Sequence, residues 1–226
     1  MRTHFDRELN AVKDELVLMG SMVNQALRNS VTILKKQDQI GANRLIAEDD
    51  PINIKRYKIE KDALMLITLQ QPVASDLRQI AAFLEISGEL ERIGDYAKGI
   101  AVITLYIGHQ PLVKPLVDIP KMAQLAADML QEAINTFVHN DETSAREIAT
   151  RDDKVDEIYK QVHEDLIALM AEDSDHVDQI NYLLWVAHNL ERAADRVVNI
   201  CERVVFTVTG DYVELDGPEI DKTKVL

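Results

Sequence analysis

The chain has 226 residues, with 25 Lys and Arg against 39 Asp and Glu, giving a net charge of -14. That balance excludes the basic surface a nucleic-acid binder needs and favours solubility, cation binding or a basic partner surface. With 8 Gly, 6 Pro and 46% hydrophobic residues, the composition leans to helix around an ample core.

Residues 5–36 predict a long amphipathic helix, because Leu9, Val12, Leu16, Met19, Val23, Leu27, Val31 and Leu34 step by threes and fours. Asp38 follows as the N-cap of a second helix, about 40–69, which buries Leu45, Ile52, Ile59, Ala63 and Leu66. Pro51 falls inside this helix, where it removes one backbone hydrogen bond and predicts a kink. After a tight turn around Pro72, with Ser75 as N-cap, a third helix runs from Asp76 to about Ile107. Its inward positions are Leu77, Ile80, Leu84, Leu90, Ile93, Ala97 and Ile100.

Three prolines between Gly108 and Pro120 mark the one strong break, and beyond it the pattern recurs. Shifted by 103 residues, Leu27, Val31, Leu34 and Asp38 match Leu130, Ile134, Phe137 and Asp141, while Asp49, Ile52 and Ile59 match Asp152, Val155 and Val162. Shifted by 100 residues, Leu84, Leu90 and Glu91 match Leu184, Leu190 and Glu191. The chain is therefore read as all-α, an internal duplication of a three-helix unit. Short turns make neighbouring helices antiparallel, which predicts two tandem three-helix bundles with six helices in all. The expected division is 1–110 for the first repeat, 111–120 for a linker, 121–208 for the second repeat and 209–226 for an acidic, trailing tail. Cys201 lies in an apolar helical run and reads as a buried core thiol; a single cysteine excludes a disulfide framework. Trp185 and Phe206 are assigned to the core as well. The charged first twenty residues hold no signal-peptide core. No apolar run reaches the length a membrane span needs, so no membrane insertion is expected and the cytoplasm is the expected compartment.

Each copy carries Leu-Glu-Arg-x-x-Asp, which sets Glu91 four residues before Asp95 and Glu191 four before Asp195. On a helix such pairs share a face and repel by a few tenths of a kcal/mol. Asp49 and Asn53 lie 23 and 19 residues before Pro72, and Glu91 and Asp95 lie 19 and 23 after it. Equal rise along both helices brings the pairs level across the hairpin. The second copy repeats this with Asp152, Asp156, Glu191 and Asp195 about a centre near Asp173 or Ser174. Oxygen donors without cysteine suit Mg²⁺, Mn²⁺ or iron better than copper or a structural Zn²⁺. The plainer reading is a solvated acidic face neutralised by Arg92, Arg192 and Arg196. His188, three residues before Glu191, could add a nitrogen ligand, but its counterpart is Gly88 and a surface or packing role is preferred. No glycine-rich phosphate loop occurs, and the repeated motif pairs no nucleophile with a base.

Gln71-Pro-Val-Ala-Ser-Asp-Leu-Arg78, Leu-Glu-Arg-Ile-Gly-Asp95 and the second Leu-Glu-Arg-x-x-Asp195 followed by Asn199-Ile-Cys-Glu resemble the PhoU family of phosphate-uptake regulators, as do Phe5-Asp-Arg-Glu-Leu with Met19-Gly and Met170-Ala-Glu-Asp-Ser174. The similarity spans residues 4–208. It implies a six-helix, two-bundle, non-enzymatic cytoplasmic protein that restrains phosphate import and the phosphate-starvation response. Its implied partners are the ATPase subunit of the phosphate ABC transporter and a membrane sensor histidine kinase, and a homodimer is expected. The family's metal motifs fall on Asp49, Asn53, Glu91 and Asp95 and on Asp152, Asp156, Glu191 and Asp195, implying iron, manganese, magnesium or zinc. Asn53 stands where a strict motif has Asp, and Pro51 lies between the first two ligands, so the first site is expected to be the weaker. A carboxylate-bridged di-iron oxidase is the enzyme alternative, but neither copy of the motif has the Glu-x-x-His pair such enzymes use. An inert helical scaffold is the structural alternative.

Overall fold

In the computed structural model, residues 2–172 and 174–215 are described. Helix covers more than three quarters of the chain and no strand occurs among the described residues. The order is α1 (Arg2–Lys36), α2 (Gln39–Gln70), α3 (Ala74–Ile107), α4 (Asp118–His139), α5 (Glu142–Ala149), α6 (Asp152–Glu172), a single 3-10 turn at Ser174–His176, and α7 (Val177–Thr209). These are the six expected rods, with the fifth divided into α5 and α6 at Thr150 and Arg151.

Every apolar position expected to face inward on α1 and α2 is buried. On α3 Ile80, Leu90, Ile93, Ala97 and Ile100 are buried, whereas Leu77 is exposed and Leu84 half-buried. Asp38 caps α2 by accepting from the Gly41 amide at 2.9 Å, and Asp141 caps α5 in the same way through Ser144. Ser75 does not cap α3. The helix starts at Ala74 behind an extended Val73, and the Leu77 amide closes the first turn onto the Val73 carbonyl. Gln71 has taken a left-handed conformation (φ 47°) to end α2, so Pro72 and Val73 alone complete the turn. Pro51 sits within an unbroken α2. The interruption falls in the other copy, just before Asp152, which thereby becomes the first residue of a helix.

Helices α1, α2 and α3 pack as one bundle, and α4, α5, α6 and α7 as another. The bundles lie side by side through α1 against α4 and α3 against α7, leaving α2 and α6 on the outer flanks. One apolar core runs through both. Phe83 of α3 meets Phe137 of α4 edge-on at 5.7 Å. Arg28 pairs with Asp128 at 2.7 Å and Arg203 with Glu85 at 2.8 Å across the same seam. At the α1–α4 contact Gly20 matters for its size, since a β-carbon there would stand 3.0 Å from Ile134 Cγ1.

The connection between the bundles, residues 108–117, starts and ends three residues earlier than expected. Helix α4 begins at Asp118, and Pro120 falls in its first turn, where the missing N–H costs nothing. The linker is held down, with Gln179 accepting from the Val113 amide at 2.6 Å and donating to the Pro111 carbonyl at 3.0 Å. Nor do the first residues after α7 trail. Tyr212 stacks on Phe206 at 4.3 Å beneath the Arg203 guanidinium, and the Leu215 amide donates to Glu202. Polar and aromatic anchoring replaces the lost apolar period there. Residues 216–226 of the expected tail lie outside the described residues. No described helix is long and apolar enough to cross a membrane.

Candidate functional site

The outer helix of each bundle sets its acidic residues against the bundle's last helix. In the first bundle a β-carbon on Gly94 would touch Ile52 at 3.6 Å. Positions equidistant from about residue 73 therefore face one another, one residue past the expected centre. In the second, Tyr159 and His188 have ring centroids 6.3 Å apart. In antiparallel helices that register puts Asp156 level with Glu191 and Asp152 level with Asp195.

Asp49 is 3% exposed. Its Oδ2 accepts from Asn53 Nδ2 at 2.9 Å and from Lys98 Nζ at 2.7 Å, while Oδ1 is buried without a hydrogen-bond partner. Glu91 accepts from Arg56 Nη1 at 2.9 Å. Asp95 lies at the exposed rim, and partial burial followed by the charges of Glu91 and Asp49 pushes its carboxyl up. The hydrogen bond to Asp49 holds Lys98 above its usual value. Its cationic form is thus the one the fold favours; the stability it contributes is complete below about pH 10 and lost only as pH rises through the raised value.

In the second set Asp152 is buried at the start of α6 and Asp156 half-buried one turn later. Glu191 has His188 Nδ1 at 3.4 Å from its Oε2. Burial, then the Glu191 charge, raises the Tyr159 hydroxyl. Asp195 accepts from Arg192 Nη1 at 2.8 Å. His188, expected at the surface, is half-exposed and leans onto the acidic set.

The neutralising arginines are partly reassigned. Arg192 does meet Asp195, but Arg92 pairs with Glu89 at 3.0 Å and Arg196 approaches Glu89 at 3.5 Å. The cations on the first set are Arg56 and Lys98, which sequence reasoning passed over. Each stands one helical turn beyond a candidate ligand, Asn53 or Asp95, and that spacing was the available signal. Trp185 is not core: it is 57% exposed and lines a cleft of about 540 Å³ between α3 and α7 with Tyr106 and Tyr182. It sits one residue before the inward Val186, on the outer side of its helix. Phe206 is only half-buried, under Tyr212. Cys201 is buried, and desolvation pushes its thiol up to about 12, so it is protonated and unreactive at neutral pH.

Among the described residues no three His, Cys, Asp or Glu side chains stand arranged to hold a metal ion. The donor chemistry nevertheless differs between the copies. The first set already has two side-chain cations on its carboxylates and does not fit a metal as it stands. In the second, Arg192 donates to Asp195 and His188 lies beside Glu191, and the four carboxylates are oxygen donors of the kind that suits a hard cation.

The family model of the PhoU domain matches residues 16–104 and 119–204, one match in each bundle. The chain belongs to the PhoU family. Relatives include the PhoU homolog of Clostridium acetobutylicum, a phosphate-specific transport system accessory protein 35% identical over 95% of this chain and 99% of its own length. The PhoU accessory protein of Escherichia coli strain K12 is 34% identical over 96% of this chain and 91% of its own. The crystal structure of PhoU from Pseudomonas aeruginosa superposes with a TM-score of 0.88 at 30% identity, covering 92% of this chain and 100% of that one. The Streptococcus pneumoniae PhoU, a phosphate transport system regulatory protein, gives 0.87 at 29% identity over 92% and 99%. The chain thus matches these relatives over nearly its full length and shares the fold of the two solved structures.

Proposed function

We propose that this protein is a cytoplasmic, non-enzymatic negative regulator of phosphate uptake and of the phosphate-starvation response. It acts as an adaptor between the ATPase of the phosphate ABC transporter and a membrane sensor histidine kinase. The observation that carries this reading is near full-length kinship, on one fold, with accessory and regulatory proteins of phosphate transport. The site chemistry agrees with it. The acidic sets pair carboxylates with amide and cationic side chains, and the only thiol is buried and protonated. The surface suits a contact protein: net charge -14 favours a basic partner face, and the exposed Trp185 cleft offers aromatic contact area.

A cation belongs to this reading at the second set, where Asp152, Asp156, Glu191 and Asp195 would hold it, with His188 beside Glu191. When bound it supplies charge compensation that ties α6 to α7. The carboxylates themselves set the position, since buried Asp152 is fixed at a helix start and Glu191 and Asp195 share one face of α7.

Deleting the gene tests the regulatory claim. Phosphate uptake and starvation genes are expected to stay active in phosphate-rich medium, and a plasmid copy to restore repression. Normal repression in the deletion strain, with no second homologous gene present, contradicts the claim.

A further inference from the structure

Beside the first acidic set, the cleft of about 540 Å³ between α3 and α7 gathers aromatic rings at the surface. Tyr182 and Trp185 stand one turn apart on one face of α7, and Tyr106 of α3 meets Tyr182 with ring centroids 5.7 Å apart. Tyr106 and Trp185 are 65% and 57% exposed. Exposed rings collected in one concave surface mark a contact site rather than a core. Asp95 lies at the other end of the cleft, about 16 Å along α3 from Tyr106. Asn181 and Asn189 line the α7 wall. Opposite them a β-carbon on Gly99 would come within 3.0 Å of Asn189 Nδ2, so the glycine is what lets that amide lie close against α3.

We infer that this cleft takes an arginine-bearing segment of a partner protein, which rests on the contact role proposed above only for the existence of such a partner. The charges at its rim call for a cation. Asp49, Glu60, Glu91 and Asp95 stand there against Arg56 and Lys98, four negative charges to two positive. Lys98 lines the cleft, but its ammonium donates to Asp49 at 2.7 Å, and on the α7 side Arg192 is paired with Asp195. In a chain of charge -14, such a rim attracts a basic segment and repels an anionic ligand. The rings select among cations, because their faces attract positive charge. A guanidinium, planar and weakly hydrated, stacks on them better than an ammonium. The chain makes this contact within itself, where the Arg203 guanidinium lies 5.1 Å from the Tyr212 ring centroid. The Asn181 and Asn189 amides, each with donors and an acceptor, can pair with the backbone of an extended segment.

Trp185 is the only tryptophan in the chain, so its fluorescence reports on the cleft. The probes are three peptides of identical Gly and Ser spacing that carry two arginines, two lysines or two citrullines, titrated in chelator so that no metal at the neighbouring carboxylates intervenes. The arginine peptide is expected to change the Trp185 emission saturably. The lysine peptide should bind about five- to tenfold more weakly and the citrulline peptide not at all. Tyr106→Ala and Asp95→Asn, both at exposed positions, should each weaken the arginine peptide by about three- to tenfold while leaving the melting temperature in place. Equal binding of the citrulline peptide overturns the inference, as does the absence of saturable binding by the arginine peptide. A Trp185 emission that moves with protein concentration alone, with a doubled mass that Tyr106→Ala reverses, puts a second copy of the chain in the cleft and overturns it too. If the arginine peptide binds as described but the transporter ATPase does not co-purify with the protein, the role of the cleft stands and the partner named above falls.

Discussion

Replacing Phe83 or Phe137 by Ala is expected to cost about 3–5 kcal/mol of stability and to lower the melting temperature by roughly 6–20 °C. Both rings are fully buried and stand edge-on, 76° apart in plane, at 5.7 Å. Truncating either leaves a cavity and removes an aromatic contact worth about 0.5–1.5 kcal/mol. The pair joins α3 of one bundle to α4 of the other inside a single continuous core. Both bundles should therefore unfold together, in one urea transition that moves to lower denaturant. The double variant should cost less than the sum of the two, because the rings touch. Two separated transitions, or a loss below about 1 kcal/mol, would show that the seam between the bundles is not part of the common core.

The second large effect belongs to the cation. A metal at 100 times its dissociation constant is expected to stabilise the wild type by about 2.7 kcal/mol, or roughly 5–11 °C for a chain of this size. The folded state alone brings Asp156 level with Glu191, so the gain follows folding. Glu191→Gln should forfeit most of it. Without metal the same substitution should leave stability unchanged or higher by a few tenths of a kcal/mol, since Glu191 and Asp195 repel as like charges four residues apart. Glu91→Gln should leave the metal gain intact and instead weaken the metal-free protein slightly, because it removes one of the two carboxylates on Arg56 and leaves Glu60 as the other. Melting curves in Mn²⁺ and in chelator read all of these terms.

Much of the fold is legible in the sequence because helical periodicity is a property of each segment alone. The stripes through Leu16, Val23 and Leu27 and through Ile52, Ile59 and Leu66 are buried as the spacing requires. The level carboxylates follow from the same arithmetic, with the hairpin centre off by one residue. What was not legible depends on neighbours from elsewhere in the chain. The packing of α3 on α7, the anchoring of the linker by Gln179 and the return of Tyr212 onto Phe206 leave no local pattern. Trp185 was assigned to the core by residue type, although its place beside the buried Val186 turns it outward. Arg56 and Lys98 were missed for another reason. They lie one turn beyond the repeated motif, where the two copies differ, so the internal repeat carries no signal for them.

The most direct measurement of the central claim is co-purification with the tagged ATPase of the phosphate transporter, from cells grown in high and in low phosphate. Recovery is expected in high phosphate, reduced recovery in low phosphate, and release as salt screens the contact of a protein of charge -14. Equal recovery from both cultures, or none from either, would contradict a regulator that acts by contact with the transporter.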